Sequence, residues 1–324
     1  MTPTAQEMME RIQATMLPVP IVRTGLGSLD DALGGGLRLK SRLEIAGPEF
    51  SGKTTLSMAL AARMSAPDKR IIFVDLEGVG DGKYALLAAN AYKPWTGSLW
   101  VAPMDHKVKT KNGTEIQATS HTDRADYALA EFDKEDVVAM VYDSLGNHTS
   151  GRALEGSIGD ANMGQAAKEV TNFYAIFWNK ATTKEAAFLF AINHLHQKLD
   201  GKGGSETSRG KAPRYNSDYR IRVWSKHDSD EVWTIQGEVR KRRSAGTGDF
   251  AVEMVPQEGI HWGLTAVQDC CRWGLASLST VVKMDGKSYG YYSKIVEKRD
   301  DEEMLRPFIE AASKYVEERW PKEQ

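Results

Sequence analysis

The chain has 324 residues, of which 41% are hydrophobic and 27% are charged. A chain of this length and composition can bury one large core and carry a small additional domain. The formal net charge of −2 and the isoelectric point near 6.4 exclude a globally basic surface, so any binding of nucleic acid has to come from local clusters of charge. The sequence has no run of about 18 apolar residues that would predict a membrane span.

The only cysteines are the neighbours Cys270 and Cys271. Adjacent cysteines are poorly placed to bridge each other, and two thiols without further ligands do not predict a structural zinc site. Residues 1–16 carry acids among their apolar side chains and lack the pattern of a signal peptide. We therefore expect a reduced protein in a cytoplasm, that of the host if the source is viral.

The first segment, residues 1–23, is predicted to be a short helix followed by a linker. Apolar side chains recur at helical spacing from Met8 to Met16, and Pro18 and Pro20 end this pattern. The apolar side of such a helix either packs on its own domain or docks on a neighbouring subunit. Both interpretations stay open, and we mark the segment as an oligomerisation helix.

Residues 24–264 have the pattern of an α/β domain. Four short apolar runs alternate with helical patterns, at residues 43–46, 71–74, 137–142 and 188–192. Such alternation is typical of a mainly parallel twisted sheet flanked by helices. Apolar side chains at helical spacing predict helices over 54–64 and 163–184.

The later part of the chain differs in pattern. Shorter strand patterns occupy residues 219–224 and 232–239. Residues 265–324 are predicted to form a small C-terminal α+β domain, with a helix over 301–318. The polar, glycine-containing segment 108–121 is predicted to be a hairpin or loop.

An eight-residue motif follows the first apolar run and consists of Gly47, Pro48, Glu49, Phe50, Ser51, Gly52, Lys53 and Thr54. Two glycines separated by four residues, followed by Lys and Thr and placed between a strand and a helix, match the P-loop pattern. Backbone N–H groups of such a loop bind phosphates together with the helix N-terminus. We expect Lys53 to reach the β and γ phosphates and the Thr54 hydroxyl to ligate Mg²⁺, which predicts ATP and Mg²⁺ as cofactors.

Acidic residues follow the next two apolar runs. Asp143 ends the third run, and we assign it as a second metal ligand because a carboxylate beside a P-loop holds magnesium. Glu77 follows the second run, where a carboxylate either orients or deprotonates the attacking water or is a surface acid in a turn. Spacing alone gives these two roles equal weight.

Asn193 and His194 end the fourth apolar run. In a doubly wound sheet the carboxyl ends of the strands lie along one crevice, where ligands bind. Asn193 is therefore assigned to the nucleotide site. His194 is either a γ-phosphate contact or a histidine that is satisfied by its surroundings.

Longer segments carry a family resemblance. Residues 24–36, and the P-loop continued through Thr55, are similar to those of the RecA-type recombinases, including the phage recombinases of that group. The segment from Glu155 to Gly164 closely matches the first DNA-binding loop of RecA, which other P-loop ATPases lack. The resemblance runs from about residue 24 to residue 262 and implies a RecA-like ATPase core.

The resemblance implies specific roles around the nucleotide. Glu77 corresponds to the family's catalytic glutamate. Asp81 and Tyr84 match the positions that contact adenine. Asn193 and His194 fall where RecA has Asn-Gln, and the glutamine of that pair senses the γ-phosphate. His194 is then the expected sensor.

The resemblance also implies two DNA-binding loops, near residues 155–164 and 195–211. The candidate contacts to single-stranded DNA are Ile158, Met163, Gly164 and Lys168 for the first loop, and His196, Lys198, Lys202, Arg209, Gly210 and Lys211 for the second. Without the resemblance, the glycine-rich second segment is typical of a solvated flexible loop.

A basic run at residues 240–243 follows the last strand pattern of the core. Such a run is typical of a solvated or phosphate-attracting face. In RecA-type filaments, lysines of this region reach the γ-phosphate bound by the next subunit. The resemblance therefore implies a catalytic role in trans for Lys241 and Arg242.

These features together predict a DNA-dependent ATPase. It is expected to assemble into a helical filament or ring on single-stranded DNA and to promote pairing and strand exchange with homologous duplex DNA. Two alternatives remain. One is a hexameric helicase with a RecA fold, and the other is an ATP-switched single-stranded DNA-binding or mediator protein without productive turnover.

Overall fold

The structure is a computed structural model that describes residues 20–78, 82–92, 95–103, 107–109, 115–117, 120–148, 163–197, 205–208, 211–227, 229–242, 248–279 and 281–321. The helix predicted near the N-terminus lies outside these residues. Part of the predicted linker that follows it is a strand, because Ile21–Val22 pairs antiparallel with Leu37–Arg38.

The strands in chain order are β1 (Ile21–Val22), β2 (Leu37–Arg38), β3 (Lys40–Gly47), β4 (Arg70–Asp75), β5 (Leu99–Val101), β6 (Lys107–Lys109), β7 (Glu115–Gln117), β8 (Val137–Asp143), β9 (Ala187–Gln197), β10 (Ser205–Thr207), β11 (Tyr219–His227), β12 (Trp233–Lys241), β13 (Asp249–Val255), β14 (Gly259–Ile260), β15 (Ser277–Leu278), β16 (Val282–Met284) and β17 (Lys287–Gly290).

The helices are α1 (Gly27–Leu33), α2 (Lys53–Met64), α3 (Lys83–Asn90), α4 (His121–Phe132), α5 (Met163–Thr182), α6 (Ala212–Asn216), α7 (Trp262–Arg272), α8 (Tyr292–Glu297) and α9 (Glu302–Arg319), and a 3₁₀ turn spans Leu145–Asn147. None of the helices in the described ranges combines the length and the apolar character that crossing a bilayer requires.

Within the described residues, one large sheet has the strand order β14-β13-β12-β11-β3-β9-β8-β4-β5, and β10 pairs with the end of β9. The strands from β11 to β5 run parallel to one another. The strands from β12 to β14 extend the sheet in antiparallel fashion. This arrangement confirms the predicted mainly parallel α/β sheet.

Apolar side chains cover the sheet on both faces. In β8, Ala139 and Val141 belong to the cluster that includes α2, whereas Met140 and Tyr142 belong to the cluster that includes α4 and α5. Successive side chains of a strand point to opposite faces, so a central strand between two helical layers needs apolar residues at every position. This requirement explains the continuous apolar runs in the sequence.

The long helix α5 follows the predicted helical pattern. Its buried side includes Ala166, Val170, Phe173, Phe177 and Ala181. The helix ends at Thr182, two residues before the predicted end. The segment predicted as a hairpin contains the antiparallel pair β6 and β7, which confirms that prediction.

The C-terminal part has an apolar cluster of its own. Phe308 of α9 is fully buried in this cluster, which also contains residues of α7, α8 and the antiparallel sheet β15-β16-β17. The predicted boundary between residues 264 and 265 falls inside α7, since this helix begins at Trp262. Cys270 is buried in the cluster and Cys271 is half-buried, and both are free thiols.

Candidate nucleotide-binding site

The P-loop connects β3 to α2 through two closely packed glycines. A Cβ atom added to Gly47 would lie 2.3 Å from the carbonyl oxygen of Val223. Gly52, which precedes α2, has φ 80°, and a Cβ there would lie 2.4 Å from Cδ1 of Ile235. Only glycine fits both the backbone conformation and the space at Gly52. The loop is therefore held against β11 and β12, with the start of α2 behind it.

Lys53 lies inside this loop. Its side chain is largely buried, and Nζ donates to the carbonyl oxygen of Pro48 at 2.6 Å. Burial lowers the pKa of Lys53, while the neighbouring carboxylates of Asp143, Glu77 and Glu49 act in the opposite direction. A buried ammonium with one carbonyl partner has two further N–H donors, which suits binding of phosphate oxygens.

The other side chains of the loop hold its shape. Ser51 Oγ donates to the Pro48 carbonyl at 2.8 Å, and Ser225 Oγ donates to the Phe50 carbonyl at 3.0 Å. The Phe50 side chain is 85% exposed, although its φ of 57° is unusual for a residue with a side chain.

Thr54 and Asp143 meet where a metal ligand pair was predicted. Thr54 Oγ1 donates to Asp143 Oδ2 at 2.5 Å. Burial raises the pKa of Asp143 to about 7, with smaller contributions in the same direction from Glu77 and Asp75, whereas the Thr54 hydrogen bond and Lys53 lower it. A hydroxyl and a carboxylate beside a phosphate site are the oxygen ligands that Mg²⁺ prefers. A Mg²⁺ ion would also offset the cost of burying the ionised carboxylate.

Within the described residues, no group of three or more His, Cys, Asp or Glu side chains is placed to hold a metal ion.

Glu77 and His194 come together across the end of β8. Glu77 Oε1 lies 2.7 Å from His194 Nε2, and the same ring nitrogen lies 3.0 Å from Ser144 Oγ. Asp75 Oδ1 accepts from the backbone N–H groups of Glu77 and Gly78, which fixes the turn after β4. The sheet order β9-β8-β4 explains the meeting, because polar residues at the ends of three adjacent parallel strands share one edge.

Two residues of this contact were not predicted. Neither Ser144 nor Gly146 was singled out in the sequence. A Cβ added to Gly146 would lie 2.6 Å from Cδ2 of His194, so the glycine leaves room for the imidazole ring. Both residues come shortly after the strand end that carries Asp143, the predicted metal ligand, and this position was the sequence signal for them.

Asn193, predicted to bind nucleotide, is engaged inside the sheet. Its Nδ2 donates to Glu44 Oε1 at 2.8 Å and to the Ser208 carbonyl at 3.2 Å, and its Oδ1 accepts from the backbone N–H of His194. Glu44 is fully buried and forms an ion pair with Arg220 of β11. In this arrangement Asn193 connects β3, β9 and the residue after β10.

The adenine candidates are only partly described. Asp81 lies outside the described residues. Tyr84 is about half exposed, at 49%, and its hydroxyl is hydrogen-bonded to Thr55 Oγ1 on α2. Tyr84 therefore presents an accessible ring beside the helix that carries the P-loop.

Comparison with known proteins gives consistent matches. A family model described as the RecA N-terminal domain matches residues 5–91, which include the P-loop and Glu77. Protein RecA of Trichodesmium erythraeum (strain IMS101) is 27% identical over 292 residues, which cover 86% of this chain and 72% of that protein. Protein RecA of Marinobacter nauticus (strain ATCC 700491 / DSM 11845 / VT8) is 31% identical over 221 residues, which cover 66% of this chain and 58% of that protein. These matches support the RecA-type recombinase family for this chain.

The matches agree with the resemblance to this family that the P-loop and the neighbouring segments predicted. One of the residues predicted to bind DNA lies on the same strand as His194. His194 contacts Glu77, and His196, two residues later on this strand, is exposed.

A β-ribbon occupies part of the second predicted DNA loop. β9 continues to Gln197 and pairs antiparallel with β10, with His196 opposite Glu206. Residues 195–197, the first three of the predicted loop, are therefore the end of a strand. His196 Nε2 is hydrogen-bonded to Ser208 Oγ, and the exposed Lys211 precedes α6.

The remaining DNA candidates are described to different extents. Gly164 and Lys168 are exposed near the start of α5, and Met163 is its first residue. The candidates outside the described residues are Ile158, Lys198, Lys202, Arg209 and Gly210.

The two residues predicted to act in trans contact their own chain. Lys241 Nζ donates to the Ser217 carbonyl at 2.6 Å and to the Arg214 carbonyl at 3.1 Å, at the C-terminal end of α6. Arg242 donates to the Ala32 carbonyl at the end of α1, and its guanidinium lies 5.9 Å from the ring centroid of Trp320.

A basic cleft lies beside Lys241 and was not predicted. It has a volume of about 540 Å³, and its lining includes Lys211, Arg214, Arg220, Arg222, Arg240 and Lys241 together with Glu44 and Glu206. Burial lowers the pKa of Arg222, and Arg240 and Arg220 lower it further, whereas Glu238 and Glu44 oppose them. The cleft therefore concentrates positive charge on a chain whose net charge is slightly negative. The alternation of arginine with apolar residues in β11 was its signal in the sequence.

Proposed function

We propose that this RecA-type protein is an ATP-dependent DNA recombinase that assembles on single-stranded DNA and promotes pairing and strand exchange with homologous duplex DNA. The observation that carries the proposal is the contact between Glu77, His194 and Ser144. It links the candidate hydrolytic carboxylate to the strand that leads into the β9–β10 ribbon. We further propose a cytoplasmic location, as expected from the sequence.

ATP binds with its phosphates on the backbone N–H groups of the P-loop and on Lys53. The Thr54 hydroxyl and the Asp143 carboxylate hold Mg²⁺, which supplies charge neutralisation for the phosphates when bound. Tyr84, together with Asp81, receives the adenine ring. The support for this part is the buried Lys53 and the direct hydrogen bond between the two oxygen donors.

Glu77 orients or deprotonates the water that attacks the γ-phosphate. In the contact described above its carboxylate is held by His194, and a γ-phosphate is a competing acceptor for the imidazole N–H. Formation of a His194–phosphate hydrogen bond releases Glu77 toward the water. A ligand shifts such an equilibrium only by the difference in its affinity for the two arrangements, and the phosphate provides that difference.

The β9–β10 ribbon couples the position of His194 to the bound DNA. The His194 carbonyl accepts from the Ser208 backbone N–H at 3.2 Å, so displacement of His194 also displaces the base of the ribbon. His196, two residues beyond His194, and Lys211, three residues beyond Ser208, are exposed, and so are Gly164 and Lys168 near the start of α5. These residues contact the DNA strand.

Self-association completes the site. The basic cleft beside Lys241 supplies positive charge either to the phosphates held by a neighbouring subunit or to DNA. Lys241 and Arg242 act in trans in this arrangement, after exchanging carbonyl contacts within their own chain for phosphate oxygens. The support is the concentration of six basic side chains at one cleft.

The deciding experiment measures ATP hydrolysis with and without single-stranded DNA for the wild type, Glu77→Gln and Lys53→Ala. Glu303→Gln on the exposed face of α9 is the matched control for loss of a carboxylate. We expect DNA to stimulate the wild type and the control by about tenfold or more, and neither active-site variant. Strand exchange between homologous DNAs by the wild type then distinguishes a recombinase from a helicase.

Binding of ATP and DNA without stimulated turnover would instead identify an ATP-switched binding protein. In that case Glu77→Gln would hydrolyse ATP at the rate of the wild type.

A further inference from the structure

The first turn of α4 contacts the chain just after two neighbouring strands of the large sheet. Arg124 Nη1 donates to the backbone carbonyl oxygen of Asp75, the last residue of β4, at 3.0 Å. His121 Nδ1 lies 2.6 Å from the carbonyl oxygen of Asn147, in the 3₁₀ turn that follows β8. The start of this helix is therefore fixed relative to the ends of both strands.

Hydrogen bonds within the same turn and to α5 hold the backbone from which Arg124 extends. Ser120 Oγ accepts from the Asp123 backbone N–H, and the Asp123 carboxylate accepts from the Ser120 backbone N–H, both at 3.1 Å. This reciprocal pair is a capping box, which defines where the helix begins. Thr122 Oγ1 also donates to Glu169 Oε2 of α5 at 2.6 Å. The Arg124 side chain thus starts from a well-defined position.

The turn that Arg124 contacts carries Glu77, and its backbone is held on both sides of that residue. Before Glu77, the Leu76 N–H donates to the Asp143 carbonyl at 2.5 Å. The Asp75 carboxylate accepts from the backbone N–H groups of Glu77 and Gly78 at 3.0 and 2.9 Å. Asp75 is itself buried, so its position determines where these two N–H groups lie.

Arg124 is attracted to Asp75 in two ways. Its guanidinium donates to the carbonyl oxygen, and it also interacts electrostatically with the carboxylate. Burial lowers the pKa of the half-buried Arg124, while the interactions with Asp75 and Tyr142 act in the opposite direction. An arginine nevertheless stays protonated in proteins, and a charged donor makes a stronger hydrogen bond than a neutral one.

We propose that Arg124 is a positioning residue for ATP hydrolysis and acts on Glu77 through Asp75. Arg124 fixes the main chain of Asp75, and the Asp75 carboxylate fixes the backbone of Glu77. The Glu77 carboxylate is thereby placed for the attacking water. A displacement of about 1 Å can lower a rate by about 100-fold, so a residue without contact to the nucleotide can control turnover. This inference rests on the proposed function, in which Glu77 acts on that water.

The test compares Arg124→Met, which removes the donors but keeps an unbranched apolar stem, with Arg124→Lys, which keeps a charged donor. Arg306→Met, on an exposed position of α9, is the matched control. ATP hydrolysis with saturating oligo(dT), nucleotide affinity and Tm are measured for each protein. We expect Arg124→Met to lower kcat by about tenfold or more with nucleotide affinity within about twofold of wild type, and Arg124→Lys to recover part of kcat.

A second pair of variants tests the same connection at Asp75. Asp75→Asn keeps an acceptor oxygen for the two backbone N–H groups, whereas Asp75→Ala removes it. We expect kcat to fall by about tenfold or more in Asp75→Ala and to stay within about threefold in Asp75→Asn. Asp68→Ala, at an exposed position before the same strand, is the control. Equal kcat values in the two Asp75 variants would overturn the connection through this carboxylate.

A double-mutant cycle then asks whether Arg124 acts through Glu77. In the Glu77→Gln background, Arg124→Met is expected to change the residual hydrolysis by less than about twofold, because the group that it positions is already absent. An equal loss in both backgrounds would overturn the inference, and so would an unchanged kcat in Arg124→Met. Parallel losses of kcat, nucleotide affinity and Tm would also overturn it, because Arg124 would then serve the whole fold.

The proposed function fails separately from this inference. Hydrolysis by Glu77→Gln at the rate of the wild type would overturn the role of Glu77, and the role of Arg124 with it. Loss of hydrolysis in Glu77→Gln together with normal turnover in Arg124→Met would overturn the role of Arg124 alone.

Discussion

The Oε1 atom of Glu77 lies 2.7 Å from Nε2 of His194, although the two residues are 117 positions apart in the chain. The contact spans the end of β8, which lies between the strands that carry the two residues. The imidazole can satisfy either the glutamate or a bound phosphate with the same N–H group. Because this N–H group serves only one of the two acceptors at a time, the contact couples the state of the nucleotide to the β9–β10 ribbon that follows His194.

Replacing His194 tests that coupling. We expect His194→Ala to leave ATP affinity within about twofold of wild type and to reduce DNA stimulation of hydrolysis by about tenfold or more, because the His194–phosphate hydrogen bond forms at the expense of the His194–Glu77 hydrogen bond. His194→Gln, which restores an N–H donor, is expected to recover part of the stimulation. Nucleotide titration and steady-state hydrolysis with and without oligo(dT) measure both quantities. Equal loss of ATP affinity and DNA stimulation would sink the sensor assignment.

The P-loop glycine next to α2 is predicted to be irreplaceable. In Gly52→Ala the new Cβ would lie 2.4 Å from Ile235 Cδ1 in a backbone with φ 80°. We expect nucleotide binding to be lost and the free energy of unfolding to fall by about 2 kcal/mol or more, from strain plus overlap.

Gly286→Ala is the control for this substitution. Gly286 has φ 76°, and a Cβ there would meet no atom within 4 Å. Its cost is expected to be about 1 kcal/mol, from the backbone conformation alone, with nucleotide binding unchanged. Thermal unfolding and titration with a fluorescent nucleotide compare the two variants. Similar behaviour of both would show that the space around Gly52 is not what limits substitution.

Asp269 predicts a pH dependence of stability. It is buried in α7, its Oδ2 accepts from the Ser28 backbone N–H at 2.9 Å, and its Oδ1 has no hydrogen-bond partner. Burial raises the pKa of Asp269 to about 6, above its ordinary value of 3.8. The folded state therefore holds the proton more tightly, and the stability that this group contributes is full below about pH 4 and is lost as the pH rises through about 6.

Asp269→Asn removes this dependence. At each pH we subtract the free energy of unfolding of the wild type from that of the variant. This difference is expected to be greater at pH 8 than at pH 4, in favour of the variant, by about 3 kcal/mol. Urea unfolding of both proteins at several pH values measures it. Buried Asp30 and Asp143 titrate in wild type and variant alike, so their effects cancel in the difference. A pH-independent difference between the proteins would contradict the assignment.

The basic cleft predicts a change in the salt dependence of DNA binding. If Arg214 and Arg240 neutralise DNA phosphates, the double variant Arg214→Ala/Arg240→Ala should reduce the slope of log K against log salt by about 1 for each lost contact. Lys314→Ala on α9 is the control for loss of a surface charge. Fluorescence anisotropy across a salt series measures the slope. An unchanged slope with unchanged DNA affinity would exclude this cleft from DNA binding and leave the neighbouring subunit's phosphates as its partner.

Local sequence patterns were sufficient to predict the elements that are built from consecutive residues. The P-loop, the continuous apolar strands and the buried stripe of α5 follow from glycine geometry and from burial on one or both faces. The strand-end acids were also predictable, because parallel strands bring their carboxyl ends to one edge whatever their lateral order.

Contacts that depend on lateral order could not be predicted. The Glu44–Arg220 ion pair and its link to Asn193 exist because β3 lies between β11 and β9, an order that no local pattern specifies. His148 Nε2 lies 3.3 Å from Glu169 Oε2, although both are unremarkable as single polar residues; only the packing of the 3₁₀ turn after β8 against α5 brings them together. The β9–β10 pairing was missed for a related reason, since glycines and lysines around a short strand are equally typical of an open loop.

The end of β8 carries its two contacts on consecutive residues, with Asp143 hydrogen-bonded to Thr54 and Ser144 to His194. Side-chain chemistry at each position can therefore change separately, but the length of the strand cannot. Insertion or deletion of a single residue in β8 would move both groups away from their partners at the same time. We expect natural and engineered variation at this point to consist of substitutions, while changes in chain length are confined to connections such as the β6–β7 hairpin that follows β5 in the chain.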